Sequence, residues 1–380
     1  MKIKSKLPDV GTTIFTIMSK MAADHGAINL SQGFPNFEVD PILKDLVDHY
    51  IKTDHNQYAP MTGIPELRKA IADKKKLLYD IDLDADQEIT ITNGATEAIY
   101  STISALISSG DEVIVFEPAY DSYVPAIQVN NGITRPIRLK SPNYKIDWAE
   151  VRRTVTDRTR MFIFNTPHNP TGSIWSEEDI QELRAITKDT DIFVLSDEVY
   201  QHLIYDGAQH ESVLRYDDLY QRSIVAMSFG KTFHATGWRI GYVIAPPLIS
   251  SEIRKVHQFN TFSINRPLQH ALADYLSIPD RYLSLNMFFQ KKRDLFIDAI
   301  KDSRFKLLPC HGTYFILASY QDISDKDDQS FARWMTKERG VAVIPISSFY
   351  TDDTDEQIIR FCFAKTDDLL LRAASLINEV

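Results

Sequence analysis

Glu88-Ile89-Thr90-Ile91-Thr92-Asn93-Gly94-Ala95-Thr96-Glu97-Ala98-Ile99 joins a short β-branched run to a glycine-containing turn and then to a helical pattern. That pattern continues from Thr96 to Ser109 and is closed by Gly110. A strand running through a turn into a helix is the unit of a parallel sheet, because a parallel neighbour needs a crossover long enough to bring the chain back to the same edge. The unit repeats. Apolar runs recur at 112–116, 133–137, 161–164, 192–195 and 224–227, with helical patterns between them. Ser176-Glu177-Glu178-Asp179 opens one of these helices as a capping box. Alternation of this kind over 88–245 predicts an α/β fold, a mostly parallel sheet covered by helices on both faces. In such sheets ligands gather outside the carboxyl ends of the strands.

After Ala245 the pattern changes. Residues 281–300 read as one helix long enough to link two domains, and 313–317, 341–344 and 358–364 read as short strands of a smaller α+β domain. The first 40 residues, with Ser31-Gln32-Gly33-Phe34-Pro35, lack a sheet of their own and are expected to pack against it. The predicted division is a large domain over 41–279 and a small one built from both termini, 1–40 and 280–380. A chain of 380 residues fits two such bodies, since single cores stop growing near roughly 250 to 300 residues.

A net charge of -10 argues against nucleic acid or an anionic membrane as the main partner, because either calls for clustered Lys and Arg. The acidic run 352–356 reads as a solvated loop. Cys310 and Cys362 have no CxxC spacing, so neither a disulfide framework nor a metal site is expected, and both read as buried thiols of a reducing compartment. Residues 1–9 carry charge without a following apolar stretch, and no segment approaches about 18 uninterrupted apolar residues. The expectation is a cytoplasmic protein with no membrane span.

The residues at the predicted strand ends carry the chemistry. In Ser228-Phe229-Gly230-Lys231-Thr232 one lysine stands at the end of the apolar run 224–227, with Arg239 eight positions later. A lysine at the mouth of a buried strand can lose its proton through burial and so condense with an aldehyde; a surface lysine in a turn is the plain alternative for this dipeptide alone. The turn 93–96 offers free backbone N–H groups and the Thr96 hydroxyl at a helix N-terminus, a generic anion site to which Ser228 and Arg239 add donors. Asp197 follows the apolar run 193–196, where a buried carboxylate needs a cation, such as a protonated ring nitrogen, unless it only caps the next helix.

Asn165-Thr166-Pro167-His168-Asn169-Pro170-Thr171-Gly172 reads as a turn stiffened by two prolines, which holds the Asn169 amide toward a ring oxygen with help from Tyr200. Tyr120 can lay its ring against a cofactor face or simply pack in the core. Arg360, inside the apolar strand Ile358-Ile359-Arg360-Phe361-Cys362-Phe363, must find an anion, and its planar fork matches a substrate carboxylate. An amine for an aldehyde, donors for a phosphate and a carboxylate for a ring nitrogen together describe a site for pyridoxal 5'-phosphate.

With Asn93-Gly94-Ala95-Thr96-Glu97-Ala98, the 165–172 segment, Ser196-Asp197-Glu198-Val199-Tyr200 and Ser228-Phe229-Gly230-Lys231-Thr232-Phe233 in this order, the chain resembles class I/II aminotransferases of pyridoxal-phosphate fold type I over nearly its whole length. Gly11-Thr12-Thr13-Ile14-Phe15, Asn29-Leu30-Ser31-Gln32-Gly33-Phe34-Pro35 and Asn56-Gln57-Tyr58-Ala59-Pro60 resemble the methionine and kynurenine branch. The resemblance implies a seven-stranded-type large-domain sheet, Lys231 as the Schiff-base lysine and Asp197 on the pyridine nitrogen. It implies Asn169 and Tyr200 on the ring oxygen, and Ala95, Thr96, Ser228 and Arg239 on the phosphate. Tyr58 would reach the phosphate of a neighbouring subunit, which implies a homodimer with shared sites, and Arg360 and Gly33 would bind the substrate's carboxylate end. Arg239 stands where some relatives of the resembled family are expected to carry lysine, an exchange that should leave phosphate binding intact.

The expected reaction moves an amino group between an amino acid and a 2-oxo acid by ping-pong turnover, with Lys231 carrying the Cα proton. Phe15, Tyr120 and Phe262 are candidates for an apolar wall, and no second arginine is offered to a distal carboxylate, so an apolar or aromatic donor is expected, methionine first. The alternatives are a kynurenine aminotransferase or a cysteine-conjugate β-lyase on the same scaffold. A synthase or decarboxylase on this fold fits the carboxylate-binding pattern less well. A DNA-binding regulator would need a basic extension before Gly11.

Overall fold

Seven strands form the main sheet: β1 (Ile89–Thr92), β2 (Glu112–Glu117), β3 (Ile133–Arg138), β4 (Thr159–Asn165), β5 (Phe193–Asp197), β6 (Ser223–Ser228) and β7 (Gly241–Ile244). In this computed structural model, which describes residues 3–380, their spatial order is β1-β7-β6-β5-β4-β2-β3. Met1 and Lys2, the start of the segment expected to lack a targeting signal and of the stretch assigned to the small domain, lie outside the described residues. The β6-β5-β4-β2-β3 pairings are parallel, and β7 runs antiparallel to both of its neighbours. The main-sheet strands other than β3 are almost wholly buried, as expected for a sheet covered on both faces.

Strand β7 was not among the apolar runs read from the sequence. Its first residue explains both its shortness and its importance. Gly241 pairs with Thr92 of β1 on one side and Ser228 of β6 on the other. A Cβ there would stand 2.4 Å from the Met227 carbonyl oxygen and 2.7 Å from the Gly94 carbonyl carbon, so only glycine lets the 93–96 turn close onto the end of β6.

The helix after β1 is Gly94–Leu106, shorter at its C-terminal end than the sequence pattern suggested. Ile107 turns extended, the Ser108 amide donates to the Asp111 carboxylate at 2.8 Å, and Gly110 takes φ +90 in that turn. The capping box at Ser176 forms as read, starting the helix Glu177–Thr187. The helix read over 281–300 is two, Asp280–Leu283 and Leu285–Ala299, divided at Ser284. There the hydroxyl donates back to the Asp280 carbonyl at 2.7 Å and ψ flattens to -9°, a local bond that competes with the helical ladder.

A second sheet of four strands contains β8 (Lys306–Leu307), β9 (Phe315–Ser319), β10 (Ile344–Pro345) and β11 (Ile358–Cys362), in the order β10-β11-β9-β8. The single strand read over 341–344 is split between sheets. Ile344–Pro345 joins this one, whereas Val341–Ala342 pairs in parallel with Ile28–Asn29. The N-terminal segment is thereby stitched to the C-terminal third of the chain, and the Cys362 amide also donates to the Leu30 carbonyl at 2.9 Å. That bond brings residues 31–34 beside β11, which carries Arg360. Cys310 and Cys362 are both buried and free. Among the described residues no helix is long and apolar enough to cross a membrane.

Candidate active site

The carboxyl ends of β4, β5 and β6 lie side by side, with Asn165 opposite Asp197 and Asp197 opposite Ala226. A cavity of about 350 Å³ opens there. Its lining contains Lys231, Asp197, Asn169, Tyr200, Tyr120, Ser228, Arg239, Ala95 and Thr96, together with Gly33, Phe15 and Arg360 from elsewhere in the chain. Side chains separated by hundreds of residues in sequence therefore face one space.

Lys231 sits in the short helix Phe229–Thr232 directly after β6. Its Nζ donates to the Gly33 carbonyl at 3.0 Å, and burial pulls the amine down to about 8, toward the neutral form an aldehyde requires. The Tyr200 and Tyr314 rings each lie with their centroids 5.8 Å from the amine.

Asp197 ends β5. Burial raises its carboxyl to about 6, against the opposing pull of the Tyr123 hydroxyl, which donates to Oδ2 at 2.7 Å, and of the Val199 amide, which donates to Oδ1. No cation pairs with it among the described residues, although Asp197 is 4 % exposed. No helix follows Asp197, since residues 199–202 form a turn, so the helix-capping alternative is not what the structure shows; the Val199 amide bond closes that turn instead.

The Gly94–Leu106 helix begins with no side chain capping its first amides. Opposite it stand Ser228 and Arg239. Arg239 adopts φ +55, which few non-glycine residues do, and packs its guanidinium against Gly94, where an added Cβ would lie 2.6 Å from Nη2. Its Nη1 donates to the Thr236 carbonyl, and no carboxylate pairs with it among the described residues. Free helix N–H groups, a serine hydroxyl and an unpaired guanidinium facing one gap suit a phosphate.

Arg360 lies on β11 and is 1 % exposed. Its Nη1 donates to Asn169 Oδ1 at 2.7 Å and its Nη2 to the Ser31 carbonyl at 3.0 Å, while Nε has no partner. The Phe315 ring centroid is 3.8 Å from the guanidinium carbon, with Phe15 and Phe349 rings at 5.4 and 5.2 Å. Burial lowers its affinity for protons to about 10, and no carboxylate forms an ion pair with it among the described residues. The Asn169 amide oxygen is thus taken up by Arg360. Tyr200 is buried beside Tyr314 and Phe315, and desolvation pushes its hydroxyl well up, so it is a neutral donor.

The site thus holds an amine, an anion and two guanidinium groups without ionic partners. An aldehyde, a protonated ring nitrogen, a phosphate and a carboxylate answer them one for one, so the residues fit pyridoxal phosphate together with an amino acid.

Two expected site residues are elsewhere. Tyr58 and Phe262 do not line the cavity; their rings pack edge to face at 5.5 Å on the surface, where Tyr58 is 79 % exposed. Several residues at the site were not read from the sequence. Tyr123 and Tyr314 give no local signal, being aromatic residues in ordinary apolar surroundings. Asn165 lay within the quoted turn, and its amide receives the Asn169 N–H at 2.7 Å and donates to the Asp197 carbonyl at 2.8 Å. Phe315 stacks on Arg360 from β9, a contact that only the strand pairing Leu317 to Arg360 brings about.

The sequence model of the family described as Aminotransferase class I and II matches residues 25–377. Methionine aminotransferase of Escherichia coli (strain K12) is 49% identical over 378 residues, covering 99% of this chain and 98% of its own. Kynurenine–oxoglutarate transaminase of Dictyostelium discoideum is 33% identical over 404 residues, covering 96% and 93%. The crystal structure of an Escherichia coli methionine aminotransferase superposes with a TM-score of 0.98 at 48% identity, over 100% of both chains.

Proposed function

Because this chain belongs to the class I and II aminotransferases, pyridoxal-phosphate-dependent transaminases of fold type I, we propose that it moves the amino group of methionine, or of a similar apolar or aromatic amino acid, to a 2-oxo acid. The observation that carries this reading is the set of unpaired charges around Lys231: Asp197, Arg239 and Arg360. Pyridoxal phosphate, when bound, supplies an aldehyde carbon that exchanges amino groups and a cationic ring that draws electrons from the substrate Cα.

The chain's own residues supply the rest. Asp197 keeps the ring nitrogen protonated. Asn169 Nδ2 and the Tyr200 hydroxyl hold the ring oxygen, and Tyr120 flanks the ring. Ser228, Arg239, the Ala95 amide and Thr96 hold the phosphate. Arg360 takes the substrate carboxylate beside Gly33, which orients the Cα–H toward Lys231. The neutral Lys231 amine would lift that proton and carry it as a general acid–base, a contribution of about 10² to 10⁴ in rate. Water is kept off by Phe15, Phe315 and Tyr120.

Donor choice follows from the cavity wall. Beyond Arg239 and Arg360 the lining contains no arginine for a distal carboxylate, and Phe15, Phe34 and Phe315 present apolar surface. Kynurenine is the second donor by the same reasoning, since an aromatic wall accepts an aryl side chain, and pockets of this kind discriminate by only about 1 to 3 kcal/mol per methylene. We also assign the exposed Tyr58 and Phe262, with Leu248 and Phe259 nearby in sequence on the helix Pro247–Asn260, to a homodimer contact through which Tyr58 serves the partner's phosphate site.

A purified sample is expected to be yellow, to be bleached by borohydride with the added mass on Lys231, and to turn over methionine best among methionine, kynurenine, phenylalanine and aspartate. A Lys231→Ala variant should bind cofactor and not turn over. Aspartate as the best donor would overturn the donor assignment, and pyruvate release from cysteine conjugates without an added oxo acid would mark a β-lyase instead.

A further inference from the structure

Four consecutive carbonyls of one loop receive buried donors. Arg360 Nη2 donates to the Ser31 carbonyl at 3.0 Å, Lys365 Nζ to Gln32 at 3.3 Å and to Phe34 at 2.8 Å, and Lys231 Nζ with the Tyr314 hydroxyl to Gly33 at 3.0 and 2.7 Å. The loop carries no charge of its own here, yet it gathers three cations through the negative ends of its peptide groups.

Two of those cations have ligands to serve: Lys231 the cofactor and Arg360 the carboxylate. Lys365 has none. It does not line the cavity, is 3 % exposed, and has no carboxylate partner among the described residues. Its ammonium lies 5.2 Å from the centroid of the Phe34 ring. The next residue, Thr366, adds a second pin, its amide donating to Asn36 Oδ1 at 2.7 Å. Gln32, Gly33 and Phe34 are all cavity wall. Gly33 is also pressed against Phe315, where an added Cβ would be 2.8 Å from the ring, and Phe315 is the ring stacked on Arg360.

We propose that Lys365 is a positioning residue for the amino-acid substrate, which clamps the carbonyls of Gln32 and Phe34 so that this wall stays seated when Lys231 and Arg360 turn to their ligands. The inference rests on Arg360 as the holder of the substrate carboxylate. Without the clamp, the loop follows the lost donors, Phe315 loses its backing, and the carboxylate meets a guanidinium held on one side only.

The test uses the holoenzyme carrying Lys365→Met, Lys365→Arg or Arg360→Leu. The measurements are KM and kcat for methionine, the Kd of 4-(methylthio)butanoate by calorimetry, and the visible spectrum against pH. That probe keeps the carboxylate and thioether of methionine and lacks the amine. Lys365→Met should raise KM and Kd about tenfold, the scale of one charge-assisted hydrogen bond, with kcat within about twofold and the spectral titration unmoved. Lys365→Arg should restore most of the loss. Unchanged KM and Kd in Lys365→Met beside a strongly weakened Arg360→Leu overturns the clamp alone. An Arg360→Leu that binds the probe normally overturns the carboxylate reading beneath it. A fall in kcat, cofactor content and melting temperature together, without rescue by arginine, also overturns the proposal by making Lys365 a folding residue.

Discussion

The Tyr123 hydroxyl donates to Oδ2 of Asp197 across 2.7 Å, so a residue with no sequence signal helps set the charge of the carboxylate proposed to face the ring nitrogen. Burial raises Asp197 to about 6, and this bond pulls it back by favouring the ionised carboxylate. Tyr123→Phe removes the bond, so the carboxyl rises further and stays protonated to higher pH. In the cofactor-free protein the loss of stability with rising pH should continue to a higher pH than in the parent, and in the loaded enzyme kcat/KM should fall about fivefold for the roughly 1 kcal/mol of one hydrogen bond. A pH–rate profile that superposes on the parent's would remove Tyr123 from the site.

Asp197→Asn should separate stability from function. Burial holds the folded carboxyl near 6, above its ordinary 3.8, so the folded apoprotein binds more protons than the unfolded chain across that window. Stability therefore falls as pH rises through it, and the full penalty, on the order of 2 to 3 kcal/mol, applies above about pH 6. The asparagine apoprotein should melt a few degrees higher than the parent at pH 7.5 and no higher near pH 3.5, while losing turnover. Melting curves at the two pH values decide it.

Gly94→Ala tests the phosphate cradle. The residue has φ +73, and its new methyl would need the space of the Arg239 guanidinium. Strain of about 1 to 2 kcal/mol from the left-handed backbone adds to displacement of that arginine. The strain is common to empty and loaded protein, so the loss of affinity comes from the displaced guanidinium: cofactor affinity, followed by absorbance during dialysis and re-addition, should fall about tenfold, the scale of one charge-assisted hydrogen bond. Retention equal to the parent's would take Gly94 and Arg239 out of phosphate binding.

Mixed dimers test the shared site. Tyr58→Ala and Lys231→Ala homodimers should both be poorly active, whereas co-refolded heterodimers contain one site with both native residues and one with neither. Recovery of activity on mixing is expected if Tyr58 serves the partner's phosphate, and sedimentation should report a dimer for each species. Additive, unrecovered losses would confine Tyr58 to its own chain.

The main sheet was readable because each of its parallel strands is a short apolar run followed by a helical period, as in 88–109. Strand β7 escaped because it begins at Gly241 and follows a turn rather than alternating with helices as the parallel strands do. The break at Ser284 was hidden for a different reason: the apolar period continues across it, and the only local mark is the hydroxyl's bond to the Asp280 carbonyl, which the Ser284 amide shares. At the site, Lys231, Asp197, Asn169 and Arg360 could be read because each is a polar group where burial demands a partner. Tyr123, Tyr314 and Lys365 act through contacts across 74, 281 and 331 or more positions, and spacing carries no trace of these.

The Asn169 amide accepts from Arg360 through its oxygen, and its nitrogen is the end proposed to meet the ring. An occupant seated at Nδ2 fixes which end of that amide the guanidinium meets; with the ring gone, a half-rotation would set N–H against N–H and push the fork aside. Vacant protein should accordingly grasp a carboxylate more loosely than loaded protein.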